Sequence, residues 1–182
     1  MRQESRTTKI VMTIHPIFVH FPIALLIVYS LMEFIAWKKI SSKNYWFYTK
    51  AIILIVGFLG ALAALQTGSM DQHNFAKDSP ERNIISVHSF WAAVSTYIYG
   101  FIVLMYVISW IEKNQIIKTS KSNKLWNLLL KIKSLAIDSW FAIILALAGL
   151  TAIAVTGALG GAIVYGPDAD PFVSFIYNLF FK

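Results

Sequence analysis

No cysteine occurs among the 182 residues. Disulfides and thiolate metal ligands are therefore excluded, as is the Cys-x-x-Cys-His attachment of a c-type haem. Any haem in this chain would be held non-covalently. Charge is scarce as well, at 14% of residues against 57% hydrophobic, which a water-soluble domain of this length would not show. Acids are the scarcer sign, nine against sixteen Lys and Arg. Low-complexity tracts and helical-repeat periods are lacking, which predicts a single domain over residues 1–182.

What the chain does have is four apolar runs, each long enough to cross a bilayer at about 20 residues and 1.5 Å of rise per residue. They are Ile17–Trp37, Trp46–Gln66, Ile84–Ile111 and Ile137–Leu159. Backbone groups in lipid must be satisfied within their own segment, so these runs are helices. The expected fold is all-α: an integral membrane four-helix up-down-up-down bundle with short interfacial helices.

Charge orients it. The loop between the first two runs carries Lys38, Lys39, Lys43 and Lys50 with no acid; the loop between the last two adds Lys113, Lys118, Lys121, Lys124, Lys131 and Lys133. The opposite face holds Arg2, Arg6, Lys9, Lys77, Arg82 and Lys182 with most of the acids. Basic loops stay in the cytoplasm, so the expectation is a multi-pass membrane protein with both termini facing outward. The basic balance thus reads as topology and lipid contact, with no nucleic-acid partner. A cleaved signal peptide fits poorly: the first run is too long for a signal core, and no small-x-small cleavage site follows Trp37.

Two short amphipathic pieces flank the runs. Lys124 to Lys133 mixes apolar residues with lysines and should lie on the cytoplasmic surface with Trp126 at headgroup depth. Residues 170–181, aromatic-rich behind Asp168 and Asp170, read as an outer interfacial segment.

The polar residues gather at one end. His15 and His20 open the first helix. The second finishes at Thr67-Gly68-Ser69-Met70-Asp71, with His73 just beyond in a loop. Ser79 and Pro80 suit the cap and first position of the third, and His88 follows about two turns in. The fourth is expected to end at Thr156-Gly157-Ala158-Leu159-Gly160-Gly161, before Tyr165. In the other half only Glu33 lies within a span, near enough to the surface to snorkel among lysines.

In such a bundle the first and third helices form a diagonal pair. Neighbouring axes lie about 8–10 Å apart, so the diagonal is about 14 Å, a separation that two imidazoles meeting one iron require. His20 and His88 fall at comparable depth, which makes them the candidate axial ligands. Ala24, Ala92 and Ser95 would leave room for a macrocycle. Helices 2 and 4 could pack closely through Gly57, Gly60, Ala61, Ala64 and Gly68, and through Ala142, Ala146, Gly149 and Gly160.

Each residue has a plainer account. His20 and His88 could be neutral imidazoles bonded across the bundle. His15, before Pro16, suits interfacial capping or a propionate contact. It stands five positions from His20, about 140° around the helix, so the two do not grip one ion from one face. Asp71 could orient a histidine or cap helix 2. Gly157 and Gly160 could be packing sites, and Trp91 and Tyr99 core.

These segments resemble a bacterial family of four-helix membrane proteins of unknown function, the domain of unknown function twenty-two thirty-one. The resemblance is carried by His15-Pro16-Ile17-Phe18-Val19-His20-Phe21-Pro22-Ile23-Ala24-Leu25, by Thr67 to Asp71, by His88, and by Gly157 to Tyr165 with its Gly-x-x-Gly-Gly-x-x-Val-Tyr pattern. It covers nearly the whole chain. The tail Gly166-Pro167-Asp168-Ala169-Asp170-Pro171 departs in being more acidic. The resemblance implies a link to respiratory electron transfer, since related segments accompany c-type cytochrome modules.

The expected function is therefore a membrane-anchored b-type cytochrome subunit, with one haem b near the periplasmic face and electron transfer within a respiratory or photosynthetic-type complex. It would be an electron-transfer subunit and not a stand-alone enzyme. Its partners would be other subunits of the complex, with a periplasmic c-type cytochrome and a quinone as further candidates; a quinone pocket would draw on His15, Trp91 and Tyr165. Two alternatives stay open. One is a non-haem copper, zinc or iron site of His20, His88 and Asp71, with His15 as a further ligand. The other is a cofactor-free structural subunit.

Overall fold

The computed structural model describes residues 15–35, 44–72, 81–115 and 123–182. Six helices make up these residues: α1 His15–Phe34, α2 Asn44–Gln72, α3 Glu81–Lys113, α4 Lys124–Ile137, α5 Phe141–Tyr165 and α6 Pro171–Phe181. Three are long and apolar enough to cross a membrane, over Asn44–Met70, Arg82–Lys113 and Phe141–Tyr165, while Phe18–Phe34 of α1 is a shorter apolar helix. The end of the first expected run, Ala36 and Trp37, lies outside the described residues, as do Ser79 and Pro80.

The boundaries move for local reasons. The last long helix begins at Phe141 and not at Ile137, because Asp138-Ser139-Trp140 forms a turn. There the Ser139 hydroxyl donates to Leu135 O at 2.6 Å, and Phe141 N donates to Ser139 Oγ at 3.1 Å. The same helix does not stop at the glycines 157–161. It runs on to Tyr165 and ends at Gly166, whose φ of 93° an L side chain would resist. The lysine-rich piece extends to Ile137 and starts at Asn123, whose Oδ1 accepts from Leu125 N and Trp126 N at 3.1 and 3.2 Å. In the same way Asp170 caps α6, accepting from Phe172 N and Val173 N at 2.8 and 2.9 Å with Pro171 in the first turn.

Packing follows from small residues. α1 lies against α2, where a Cβ on Gly57 would come within 2.9 Å of Leu26 and one on Gly60 within 3.1 Å of Pro22. Pro22 sits inside α1 and gives up a backbone donor there. These contacts and the Glu33–Lys50 pair descend α2 as they ascend α1, so the two helices run antiparallel. α2 meets α3 through Phe58 on Gly100 and through Phe47 stacked on Tyr106 at 5.2 Å, again antiparallel. α3 meets α5 through Tyr99 on Gly149 and His88 on Gly160. α5 also touches α1 and α6, and α4 packs on α3 and α5.

The middle is closed by Leu26, Tyr29, Leu54, Tyr99, Ile102, Tyr106 and Ile153. Tyr29 meets Tyr99 and Tyr106 edge to face at 6.2 and 6.1 Å, a preferred aromatic geometry. The outside is apolar too, with Ile52, Leu59, Phe90 and Leu104 all more than half exposed. Apolar surface of that kind suits lipid.

Candidate functional site

Two polar centres sit at opposite ends of the long helices. The first is built on His88. Its Nδ1 lies 2.9 Å from the carbonyl oxygen of Thr156 on α5. A carbonyl only accepts, so Nδ1 is the donor in this bond, and a backbone acceptor of this kind is one that metal-ligating histidines commonly use. The ring lies against Gly160, where a Cβ would stand 3.3 Å from Cε1. Thr156 and Gly160 are one helical turn apart and form a socket for the ring. Thr156, named from the sequence only as the start of the helix's closing stretch, supplies the acceptor for His88.

Carrying the Ser30–Tyr99 register up the two helices brings His20 near the level of His88. His20 precedes His88 by 68 positions, while the cross-ties Ser30–Tyr99 and Glu33–Tyr106 span 69 and 73. Its direction differs. The interior stripe of α1 is Leu26, Tyr29, Ser30 and Glu33, and at 100° per residue His20 lies about 130° around the helix from it. Both His20 and Ala24 are exposed, so the space beside Ala24 lies outside the helix ring. No described interaction joins the two histidines.

His20 shares a face with Ile23 and Ile27 by its three- and seven-residue spacing. Those isoleucines line a shallow groove of about 350 Å³ between α1 and α5, whose far wall includes Ala154, Gly157 and Gly161, with Tyr165 at one end. Gly157 is exposed, and a Cβ there would meet nothing within 4 Å.

The other expected residues scatter. Trp91 packs edge-on to Phe180 at 6.0 Å and joins the cluster of Leu159, Ala162, Val173 and Ile176, so it fastens α6 to α3 and α5. The Ala92 carbonyl accepts from the buried hydroxyls of Ser95 and Thr96, both at 2.9 Å, turning them back on their own helix. His15 and Asp71 have helical backbone at the ends of α1 and α2, but their side chains, like all of His73, lie outside the described part. Among the described residues no three His, Asp or Glu side chains are grouped to hold a metal ion.

The profile described as a predicted membrane protein, DUF2231, matches residues 11–168. The chain belongs to the DUF2231 family. That match takes in all four histidines and the glycines of α5, and stops short of α6. No curated protein and no solved structure shows significant similarity to this DUF2231 chain.

The second centre corrects the snorkelling expected of Glu33. Its side chain is only 6% exposed, both carboxylate oxygens accept from Lys50 Nζ at 2.9 Å, and Oε1 also accepts from Tyr106 OH at 3.0 Å. Lys50, assigned from sequence to a loop, lies on α2. One to two turns away, between α1 and α3, Ser30 Oγ and Tyr99 OH meet at 2.8 Å, and Ser30 also donates to Leu26 O at 2.9 Å. The antiparallel register that sets 57 opposite 26 and 60 opposite 22 also brings 50 opposite 33. At this end too, Lys133 of α4 bridges Glu112 at 2.9 Å and Asp138 at 3.0 Å. Burial pulls the Lys133 ammonium toward a lower pKa, but bonds and charge from Glu112 and Asp138 more than offset it, leaving the value raised.

Proposed function

We propose that this DUF2231 protein is a multi-pass inner-membrane subunit of a respiratory or photosynthetic-type electron-transfer complex, holding one non-covalent haem b at its histidine end. In this reading α1, α2, α3 and α5 form an up-down-up-down membrane bundle with both termini periplasmic. The antiparallel contacts along α1–α2–α3–α5 and the lysines at the α2 start and on α4 support that topology. In this reading His88 of α3 and the outward-facing His20 of α1 would hold the haem.

The observation that carries the proposal is the His88 clasp. The Thr156 carbonyl accepts from Nδ1 at 2.9 Å, and Gly160 leaves room for the ring beside Cε1. Orientation by a backbone acceptor is what ligating imidazoles need. Haem b supplies one-electron redox chemistry when bound. Quinol or an integral partner is the proposed electron source, and a periplasmic c-type cytochrome the acceptor.

The test is a pyridine haemochrome assay on purified full-length protein, repeated on His88→Ala and His20→Ala. Near-stoichiometric haem b in the wild type, lost in His88→Ala and lowered or spectrally shifted in His20→Ala, is expected. Unchanged haem in both variants would overturn the ligand assignment, and no haem in the wild type would overturn the cofactor.

One observation favours a second reading. His20 faces outward while Tyr29 and Tyr99, at 1% and 0% exposure, fill the interior below it. A cofactor-free structural subunit would use the His88–Thr156 contact only to tie α3 to α5. His88→Ala would then lower thermal stability with no chromophore to lose.

A further inference from the structure

α4 packs on α3 and α5 with one face: Ala136 joins Met105 and Ile108, and Lys133 is held by Glu112 and Asp138. That anchoring fixes what the rest of the helix presents. Leu125, Leu128, Ile132 and Leu135 recur at three- and four-residue spacing, and all are exposed, Leu125 by 66%. They form a second apolar stripe about 120° around the helix from the packed one. Lys124 and Lys131 are exposed along the edge of this stripe, and α4 contains no acid. Among the described residues neither lysine makes an ion pair, in contrast to Lys133.

A second observation sets the depth of α4. Trp110 at the end of α3, Trp140 just before α5 and Tyr45 at the start of α2 are all more than half exposed. Aromatic rings of this type mark the boundary between hydrocarbon and headgroups. α4 follows α3 and precedes α5 at that level, so its leucines reach acyl chains while Lys124 and Lys131 stand at phosphate height.

We infer that the exposed face of α4 is a binding surface for anionic phospholipid, with Lys124 and Lys131 contacting headgroup phosphates and the Leu125–Leu135 stripe seated among acyl chains. Charge complementarity selects this occupant: an uncompensated pair of cations beside an apolar stripe matches an anionic leaflet and not a zwitterionic one. The inference rests on the membrane reading of the long helices and is independent of haem.

The experiment is native mass spectrometry of the full-length protein in detergent, titrated with phosphatidylglycerol or with phosphatidylcholine of the same chains. Wild type should prefer phosphatidylglycerol, and the preference should shrink as salt rises. Lys124→Gln/Lys131→Gln should lose about fivefold in affinity per lysine, about 25-fold together. Lys124→Arg/Lys131→Arg and the remote Lys182→Gln should keep the preference. If the double Gln variant does not purify, each single variant should show its own fivefold loss. Equal binding of the two lipids, an undiminished preference in the Gln variants, or displacement of the lipid by millimolar inorganic phosphate would each overturn the proposal. A haem-free wild type that still prefers phosphatidylglycerol would sink the cytochrome reading and leave this one standing.

Discussion

Replacing Lys50 by Met should destabilise the protein far more than replacing Lys50 and Glu33 together. In the wild type the Glu33 carboxylate is 6% exposed and takes three hydrogen bonds, two from Lys50 at 2.9 Å and one from Tyr106 at 3.0 Å. Lys50→Met deletes two of the three and leaves a buried anion with one neutral donor. Breaking a buried pair from one side costs about 3–5 kcal/mol. Glu33→Gln keeps an acceptor for Tyr106 and strands the lysine. Its flexible stem sits early in α2, near the interface, and can carry the ammonium toward water, so about 1–3 kcal/mol is expected. The double variant Glu33→Leu/Lys50→Met removes both charges, and buried pairs exchanged for apolar residues are often neutral, so it should fall within about 1–2 kcal/mol of wild type, the residue being the unpaired Tyr106 hydroxyl. Reversible unfolding of the purified protein in mixed micelles, with Glu33→Leu as the second single variant that closes the double-mutant cycle, reads these differences directly. A Lys50→Met penalty below about 1 kcal/mol, or a double variant whose loss equals the sum of the singles, would show that the pair is not coupled as described.

Two further outcomes can be checked on the same material. Gly149→Ala should cost about 1–3 kcal/mol, because its Cβ would stand 2.7 Å from Cζ of the fully buried Tyr99, whereas Gly157→Ala should be neutral or slightly stabilising, since nothing lies within 4 Å; thermal melts of the two variants side by side test the contrast. The Lys133 ammonium has its pKa raised in the folded state, so its contribution is fully present below about 10.5, the ordinary lysine value, and is lost as pH rises through the higher folded value. Lys133→Met should therefore lower stability at neutral pH and erase that alkaline decline, which a pH series of melts would reveal.

Much of the architecture was readable because lipid imposes it. Long apolar runs can only be helices there, and α2 and α3 fall where hydropathy puts them, while the lysine spacing of α4 and the aromatic run behind Asp170 mark their own segments. What could not be read was which way each helix faces. In water an apolar stripe points inward; α5 is apolar on every side, and α1 nearly so, so periodicity does not separate the interior from lipid. That is why His20 and Ala24 could be assigned a depth but not a direction. The end of α5 was misplaced because glycines read as a stop in soluble helices, yet they are well tolerated in membrane ones. Glu33 was legible as the lone acid of its span, but its partner emerged only with the hairpin register, which brings two sequence-distant residues face to face.

The ionic fastening between positions 33 and 50 belongs entirely to the first two helices. A nascent chain can therefore close this hairpin before α3 has been synthesised, shielding a carboxylate and an ammonium that would otherwise enter lipid bare. The wall that α1 shares with α5, by contrast, must wait until α2, α3, α4 and α5 have all been made. Until then the flank of α1 that bears Ile23 and Ile27 stays open to whatever lies beside it in the bilayer, so assembly proceeds from a locked pair toward a late-sealed seam.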